Sequence, residues 1–176
     1  TDIDSAIIVN DGSFTTLGIV DCVYNNNFYN KLKKIIELYT DKIDFMMIPH
    51  SGANSYPHTN FNIKKQKKIL EKKSLEKINA NIKRYLNWKR LFKSQINLPY
   101  AGKYLIGGKN FLYNKFKGVL DPIEIKKYDK KAIILKDYGG EINLENNKIN
   151  GIRKQKYKTF NINKYLQSIK NKEYSY

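Results

Sequence analysis

The sequence predicts an α/β fold: one mixed sheet with a long lysine-rich helix against it. Three observations carry this. Short apolar runs such as Phe45 to Ile48 end at a proline and pass straight into Gly/Ser/Pro loops, as buried strands do. Two segments between such runs, Phe28 to Tyr39 and Ile63 to about Ser94, repeat apolar residues at helical intervals instead. Finally, the chain opens with a hairpin signal and then alternates strand and helix, which combines an antiparallel pair with parallel crossovers.

Taken in order, Ser5 to Asn10 reads as a strand, Asp11-Gly12 as its hairpin turn, and Phe14 to Val20 as the returning partner, ending at Asp21-Cys22. A helix over Phe28 to Tyr39 follows through Leu32, Ile35, Ile36 and Tyr39, closed by Thr40-Asp41. The strand Phe45 to Ile48 comes next. The long segment places Ile69, Leu70, Leu75, Ile78, Ile82, Tyr85, Leu86 and Leu91 at helical spacing, as one helix or as two broken near Ser74. Its lysines read as a solvated face and Trp88 as a packing residue. Gln95 to Tyr104 reads as a loop, continued by Gly107-Gly108 and Asn110 to Asn114. Asp121-Pro122 opens a short helix with proline in its first turn. Ala132 to Lys136 is a strand, Tyr138 to Glu141 a turn, Ile142 to Leu144 a second short strand, and Phe160 to Ile169 a terminal helix. No internal repeat or linker divides residues 1–176, which read as a single, partial domain.

Composition bounds the function. At 41% hydrophobic over 176 residues the chain can bury a core and is not a disordered segment. One cysteine, Cys22, excludes an internal disulfide framework and suits a reducing cytoplasm. No apolar run reaches the roughly 20 residues that span a bilayer. The chain opens at Thr1 directly ahead of a strand, which fits a processed or truncated product. The formal charge of +17 attracts anionic small molecules, a membrane surface or nucleic acid. It is almost all lysine, however, with arginine only at 84, 90 and 153, in a Lys-, Asn-, Ile- and Tyr-rich background that a compositional bias produces equally well.

The stretch Asp44 to His58 is the most informative. It runs from the apolar strand into Pro49-His50-Ser51-Gly52-Ala53-Asn54-Ser55-Tyr56-Pro57-His58, a loop holding both histidines. Strand-end loops of α/β layers are where chemistry usually sits, although a turn with two surface histidines has the same local pattern. Asp21 ends the preceding strand and is either a metal ligand or a cap satisfied by loop amides; carboxylate oxygen suits zinc, iron or manganese. One crossover helix between the two strands makes them parallel and brings Asp21 and His50 to one sheet edge. One carboxylate and one or two imidazoles are too few for a complete catalytic metal site. No GxxxxGK[ST] or GxGxxG phosphate loop is present.

Three segments in this order resemble the metallo-β-lactamase-like superfamily, closest to the branch of UlaG-type lactonases, N-acyl-phosphatidylethanolamine phospholipase D and CMP-N-acetylneuraminate hydroxylase. They are the strand ending in Asp21-Cys22, the Asp44 to Ala53 loop with Tyr56-Pro57, and Leu98-Pro99-Tyr100-Ala101-Gly102-Lys103-Tyr104 after a lysine-rich helix. The Ile133 to Leu144 stretch is similar to the strand-turn-strand that follows in that branch. The resemblance covers about three quarters of the chain.

The resemblance implies the C-terminal half of a four-layer αβ/βα sandwich, with the His-x-His-x-Asp-His motif in an N-terminal half; no such motif occurs here. It implies that Asp21 bridges a metal pair (zinc, or iron or manganese); His50, in a loop where some relatives have Ile, Phe or Tyr, is a further candidate ligand. His50 or His58 would orient substrate or carry a proton, and Tyr100 would donate to an oxyanion. Tyr100 aligns where phospholipase-like members carry their last metal histidine. The implied activity is metal-dependent hydrolysis of a phosphorylated, acyl or nucleotide-sugar substrate once the N-terminal half is present. Two other readings stand beside it: an accessory binding domain with a degraded metal site, and a basic nucleic-acid-binding protein. A half-sandwich leaves one sheet face uncovered, so self-association or a covering segment is expected.

Overall fold

The computed structural model describes residues 6–19, 26–52, 54–101, 104–135, 143–145 and 148–150, together with 164 and 168. Its centre is a four-stranded mixed sheet in the order β1-β2-β3-β4, where β1 is Ala6–Asn10, β2 Thr15–Ile19, β3 Phe45–Pro49 and β4 Ile96–Tyr100. β1 pairs antiparallel with β2, and β2–β3 and β3–β4 are parallel. The hairpin turn is held by Asp11, whose Oδ1 accepts from the Ser13 and Phe14 amides at 2.9 and 2.8 Å. Those amides hold the Asp11 carboxyl below the usual carboxylate range.

Helix α1 (Asn26–Glu37) supplies the first crossover and α2 (Lys67–Phe92) the second. The buried face of α1 is Tyr29, Leu32 and Ile36, an i, i+3, i+7 stripe; Ile35 and Tyr39, expected inside, point outward. α2 runs unbroken through Ser74, whose hydroxyl donates to the Phe116 carbonyl at 2.6 Å. Its inward line is Leu70, Ser74, Lys77, Asn81, Tyr85 and Trp88, at strict helical spacing but half polar. Ile69 and Leu75 lie outside that line and are exposed, against expectation. Apart from Lys77 and the half-buried Lys89, the lysines lie on the solvated face foreseen for them.

The core lies on the helix-bearing face of the sheet, built from Leu17, Ile19, Met46, Ile48, Tyr29, Ile36, Ile82, Tyr85 and Trp88. Gly18 sits on the other face, where a Cβ would stand 3.1 Å from the Met47 terminal methyl. Beyond the sheet come a 3-10 segment (Gly108–Phe116), where a loop was expected, and α3 (Pro122–Ile125), started by Asp121 as expected: its Oδ1 accepts from Ile123 N at 3.1 Å. Ala132, expected to open a strand, makes only a parallel bridge to Asn97. β5 (Asn143–Glu145) and β6 (Lys148–Asn150) pair antiparallel as a second, two-stranded sheet. The turn expected at 138–141 and almost all of the helix expected at 160–169 lie outside the described residues.

The largest correction concerns Gln95 to Tyr104, read as a loop. Ile96–Tyr100 is a full strand, in register with β3 from Phe45↔Ile96 to Pro49↔Tyr100. Pro99 and Asn97 disguise it, and both are tolerated because β4 ends the four-stranded order. On its outer side, among the described residues, only Asn97 is bridged, its carbonyl accepting from Ile133 N at 2.8 Å, and a proline without N–H fits such an edge.

At the opposite end of β4 from Tyr100, a buried polar network ties three elements together. Asp129 is fully buried and accepts from Tyr85 Oη at 2.9 Å, Asn97 Nδ2 at 2.7 Å, Lys89 Nζ at 2.9 Å and the Lys131 amide at 3.0 Å. Burial pushes its pKa up, but the hydrogen bonds from Lys89, Asn97 and Tyr85 outweigh that and hold it below the usual carboxylate range. Burial and the Asp129 charge push the Tyr85 phenol far up, so it stays a donor.

Candidate functional site

Because β2, β3 and β4 are parallel, their C-terminal ends share one edge of the sheet. His50 follows β3 there and is 2% exposed. Its amide donates to the Tyr100 carbonyl at 3.2 Å, and its ring Nδ1 lies 3.0 Å from the same oxygen. A carbonyl only accepts, so Nδ1 carries a proton, and in the neutral form of the ring the lone pair is on Nε2. The Tyr100 hydroxyl in turn donates to the Ile19 carbonyl at the end of β2. Ser51, buried beside His50, accepts from the Leu120 amide at 3.1 Å and draws the 117–120 loop over this edge. His50 and Tyr100, fifty residues apart, are thus joined through one carbonyl. Asp21, expected at the same edge, lies outside the described residues, two positions past Ile19. At Ala101 the backbone leaves β4 with φ 60, in the left-handed region that a residue with a Cβ seldom adopts.

His58 belongs to a second cluster. Its ring centroid is 5.9 Å from that of Tyr104, and its Nδ1 is buried with no hydrogen-bond partner among the described residues. Lys77, inward on α2, donates to the carbonyls of Tyr56 at 2.7 Å and Lys117 at 2.9 Å. Lys117 is buried, donates to the Tyr104 carbonyl and stands 4.8 Å over the Tyr104 ring. Tyr104 closes the circuit, its hydroxyl donating to Asn54 O at 2.9 Å. Gly118 permits the close approach: its φ is +64, and a Cβ would fall 3.0 Å from the Ser74 carbonyl and 2.9 Å from Lys77 Cβ. Two ammonium groups therefore sit among backbone carbonyls, clamping the 54–61 loop to the 104–118 segment.

Burial, and then the charges of Lys77 and Lys117, hold the His58 imidazole below its ordinary value of 6.5. The unfolded chain takes up that proton near the ordinary value and the folded chain only at lower pH. The stability contributed by the neutral ring is complete above about pH 6.5 and is lost as pH falls through the depressed folded value. Urea midpoints at neutral and mildly acidic pH should accordingly fall less in His58→Gln than in the parent. Equal acid sensitivity of the two proteins would remove His58 from this account.

As a metal site, the described residues supply one oriented imidazole. His50 has the setting of a ligating histidine, with Nδ1–H on a carbonyl and Nε2 as the basic nitrogen. Among the described residues, however, no three His, Cys, Asp or Glu side chains come together. They fit a contribution to a zinc, iron or manganese centre, not a centre of their own. The structure draws His50 and Tyr100 together and gives His58 a separate lysine-flanked setting. Sequence reasoning missed Ser51, Lys77, Tyr104 and Lys117. The signals were positional: Ser51 lies in the Asp44 to His58 stretch and Tyr104 in the Gln95 to Tyr104 segment, and Lys77 falls on the line of Leu70, Ser74 and Asn81.

Compared with known proteins, the chain matches no family model, no curated protein and no solved structure. Among the described residues no helix is long and apolar enough to cross a membrane.

Proposed function

We propose that this chain is the C-terminal part of a metal-dependent hydrolase-like protein of the metallo-β-lactamase type, acting on a phosphorylated, acyl or nucleotide-sugar substrate together with its N-terminal half. The observation that supports this most is the junction of His50, Tyr100 and the end of β2 at the C-terminal edge of a parallel sheet. In this reading Asp21 and His50 hold the metal pair with ligands from the N-terminal half, and a cytoplasmic setting supplies zinc, iron or manganese. Such a pair, when bound, supplies an activated water and polarises the scissile oxygen. The Tyr100 carbonyl fixes the His50 tautomer, and burial keeps water from its ring. His58, neutral above mildly acidic pH, is suited to accept a proton. Tyr100 offers a phenolic donor to an oxyanion once its bond to the Ile19 carbonyl is exchanged.

One observation favours an accessory domain instead: Tyr100 occupies the position matched to the family's last metal histidine, and its hydroxyl is already committed to Ile19 O. Intact mass of the protein from its native source separates the two. A mass well above 20.7 kDa supports the hydrolase reading; a mass equal to it favours the accessory domain. In the longer protein, Asp21→Asn is expected to remove most of the bound metal measured by elemental analysis, and unchanged metal content would withdraw Asp21 as a ligand.

A further inference from the structure

We infer that the outer face of α2, from Lys83 to Lys93, together with Tyr128 and Lys131, is a docking groove for single-stranded nucleic acid. Two adjoining hollows of about 430 and 390 Å³ run along it and share Leu86 and Arg90. Lys83 and Arg90 line the first and Lys89, Arg90, Lys93 and Lys131 the second; Lys83, Arg90, Lys93 and Lys131 are exposed, and Lys89 is half-buried. Among the described residues, no carboxylate lines either hollow. The sequence explains why: from Lys77 to Leu120 there is no Asp or Glu. Asp129 is buried and pairs at 2.9 Å with Lys89, a fifth cation lining the second hollow.

The lining favours a nucleic acid over other anions. Lys83 and Arg90 on α2 and Lys93 at its C-cap are spread over ten residue steps, roughly 15 Å along the axis, so the charge forms a line and not a point. A single small anion would meet only one or two of these groups. Tyr128 stands at the rim, 48% exposed, and the Leu86 side chain lies between the cations. A line of cations with an exposed aromatic ring is how proteins hold an unpaired strand, phosphates on the cations and a base on the ring. An acidic protein segment has no use for the ring as a stacking platform. The groove is separate from the strand-edge site, so its standing does not depend on the hydrolase reading.

The test is fluorescence anisotropy of labelled oligouridine and oligothymidine with the full chain, across a salt series. Lys83→Gln/Arg90→Gln/Lys93→Gln/Lys131→Gln is compared with Lys64→Gln/Lys65→Gln/Lys68→Gln/Lys72→Gln, which removes the same charge from exposed positions elsewhere. Micromolar binding at low salt is expected. The groove variant should lose at least about tenfold in affinity and flatten the log–log salt slope by roughly 3, at about 0.7 for each phosphate contact. The control variant should stay near the parent. Tyr128→Ala should lose about tenfold while Tyr128→Phe retains binding. Circular dichroism matching the parent checks that each variant is folded. Absence of binding at low salt, equal loss in both quadruple variants, or capture by phosphatidylserine vesicles in preference to oligonucleotide overturns the proposal.

Discussion

Asp129→Ala is expected to lower the unfolding free energy by about 3–5 kcal/mol, the range for removing one partner from a buried charged network. The carboxylate is fully buried and receives Tyr85, Asn97 and Lys89 from two different elements, α2 and β4. Alanine leaves the Tyr85 hydroxyl and the Asn97 amide buried without that acceptor, each costing about 1–3 kcal/mol. Asp129→Asn keeps the shape and one acceptor oxygen, so it should cost less. Because the Asp129 pKa is held low, its contribution is present above the ordinary carboxylate range near 3.8 and is lost as pH falls through the folded value. The asparagine variant should therefore lack that acid-dependent part. Urea titrations followed by circular dichroism measure both effects. A loss below about 1 kcal/mol for alanine, the size of an ordinary exposed interaction, would mean that the network is not what holds β4 to α2.

Trp88→Ala is expected to cost about 3–5 kcal/mol, the range for truncating a large buried aromatic. Trp88 is 1% exposed and meets Tyr29 edge-on at 4.6 Å, Phe28 at 6.4 Å and Phe92 stacked at 5.9 Å. These contacts join the start of α1 to the end of α2, so the cavity opens between both helices and the sheet. Trp88→Phe leaves most of the ring contacts and should lose roughly half as much. Trp88 is the single tryptophan, so helix ellipticity, not intrinsic fluorescence, must report the transition. Wild-type-like stability of the alanine variant would show that α1 and α2 are held by their separate contacts with the sheet.

Much of this architecture was legible in local pattern. The hairpin at Asp11-Gly12 and the apolar run before Pro49 have short-range causes, and the structure has both elements where the pattern puts them. The Asp121-Pro122 helix start is equally local. β4 was hidden because a strand carrying Asn97 and Pro99 has neither alternation nor a clean apolar run. Its identity comes from pairing with β3 and from its place at the end of the sheet order. The inward line of α2 was misread at Ile69 and Leu75 for a related reason: its first half faces loop carbonyls, which ask for Ser74 and Lys77, not apolar side chains.

The candidate site divides in the same way. Its location at the end of β3 follows from the sequence alone, since the strand–loop boundary at Pro49-His50 and the crossover rule need only local residues and chirality. The partnership of His50 with Tyr100, and the lysine-flanked setting of His58, were decided by tertiary structure. Both depend on backbone carbonyls as acceptors: Tyr100 O for His50, and the carbonyls of Tyr56, Lys117 and Tyr104 for the two lysines. Every residue has a carbonyl, so side-chain identity carries no trace of which one a buried histidine or ammonium will meet. Only the register of β3 against β4 and the path of the loops settle that.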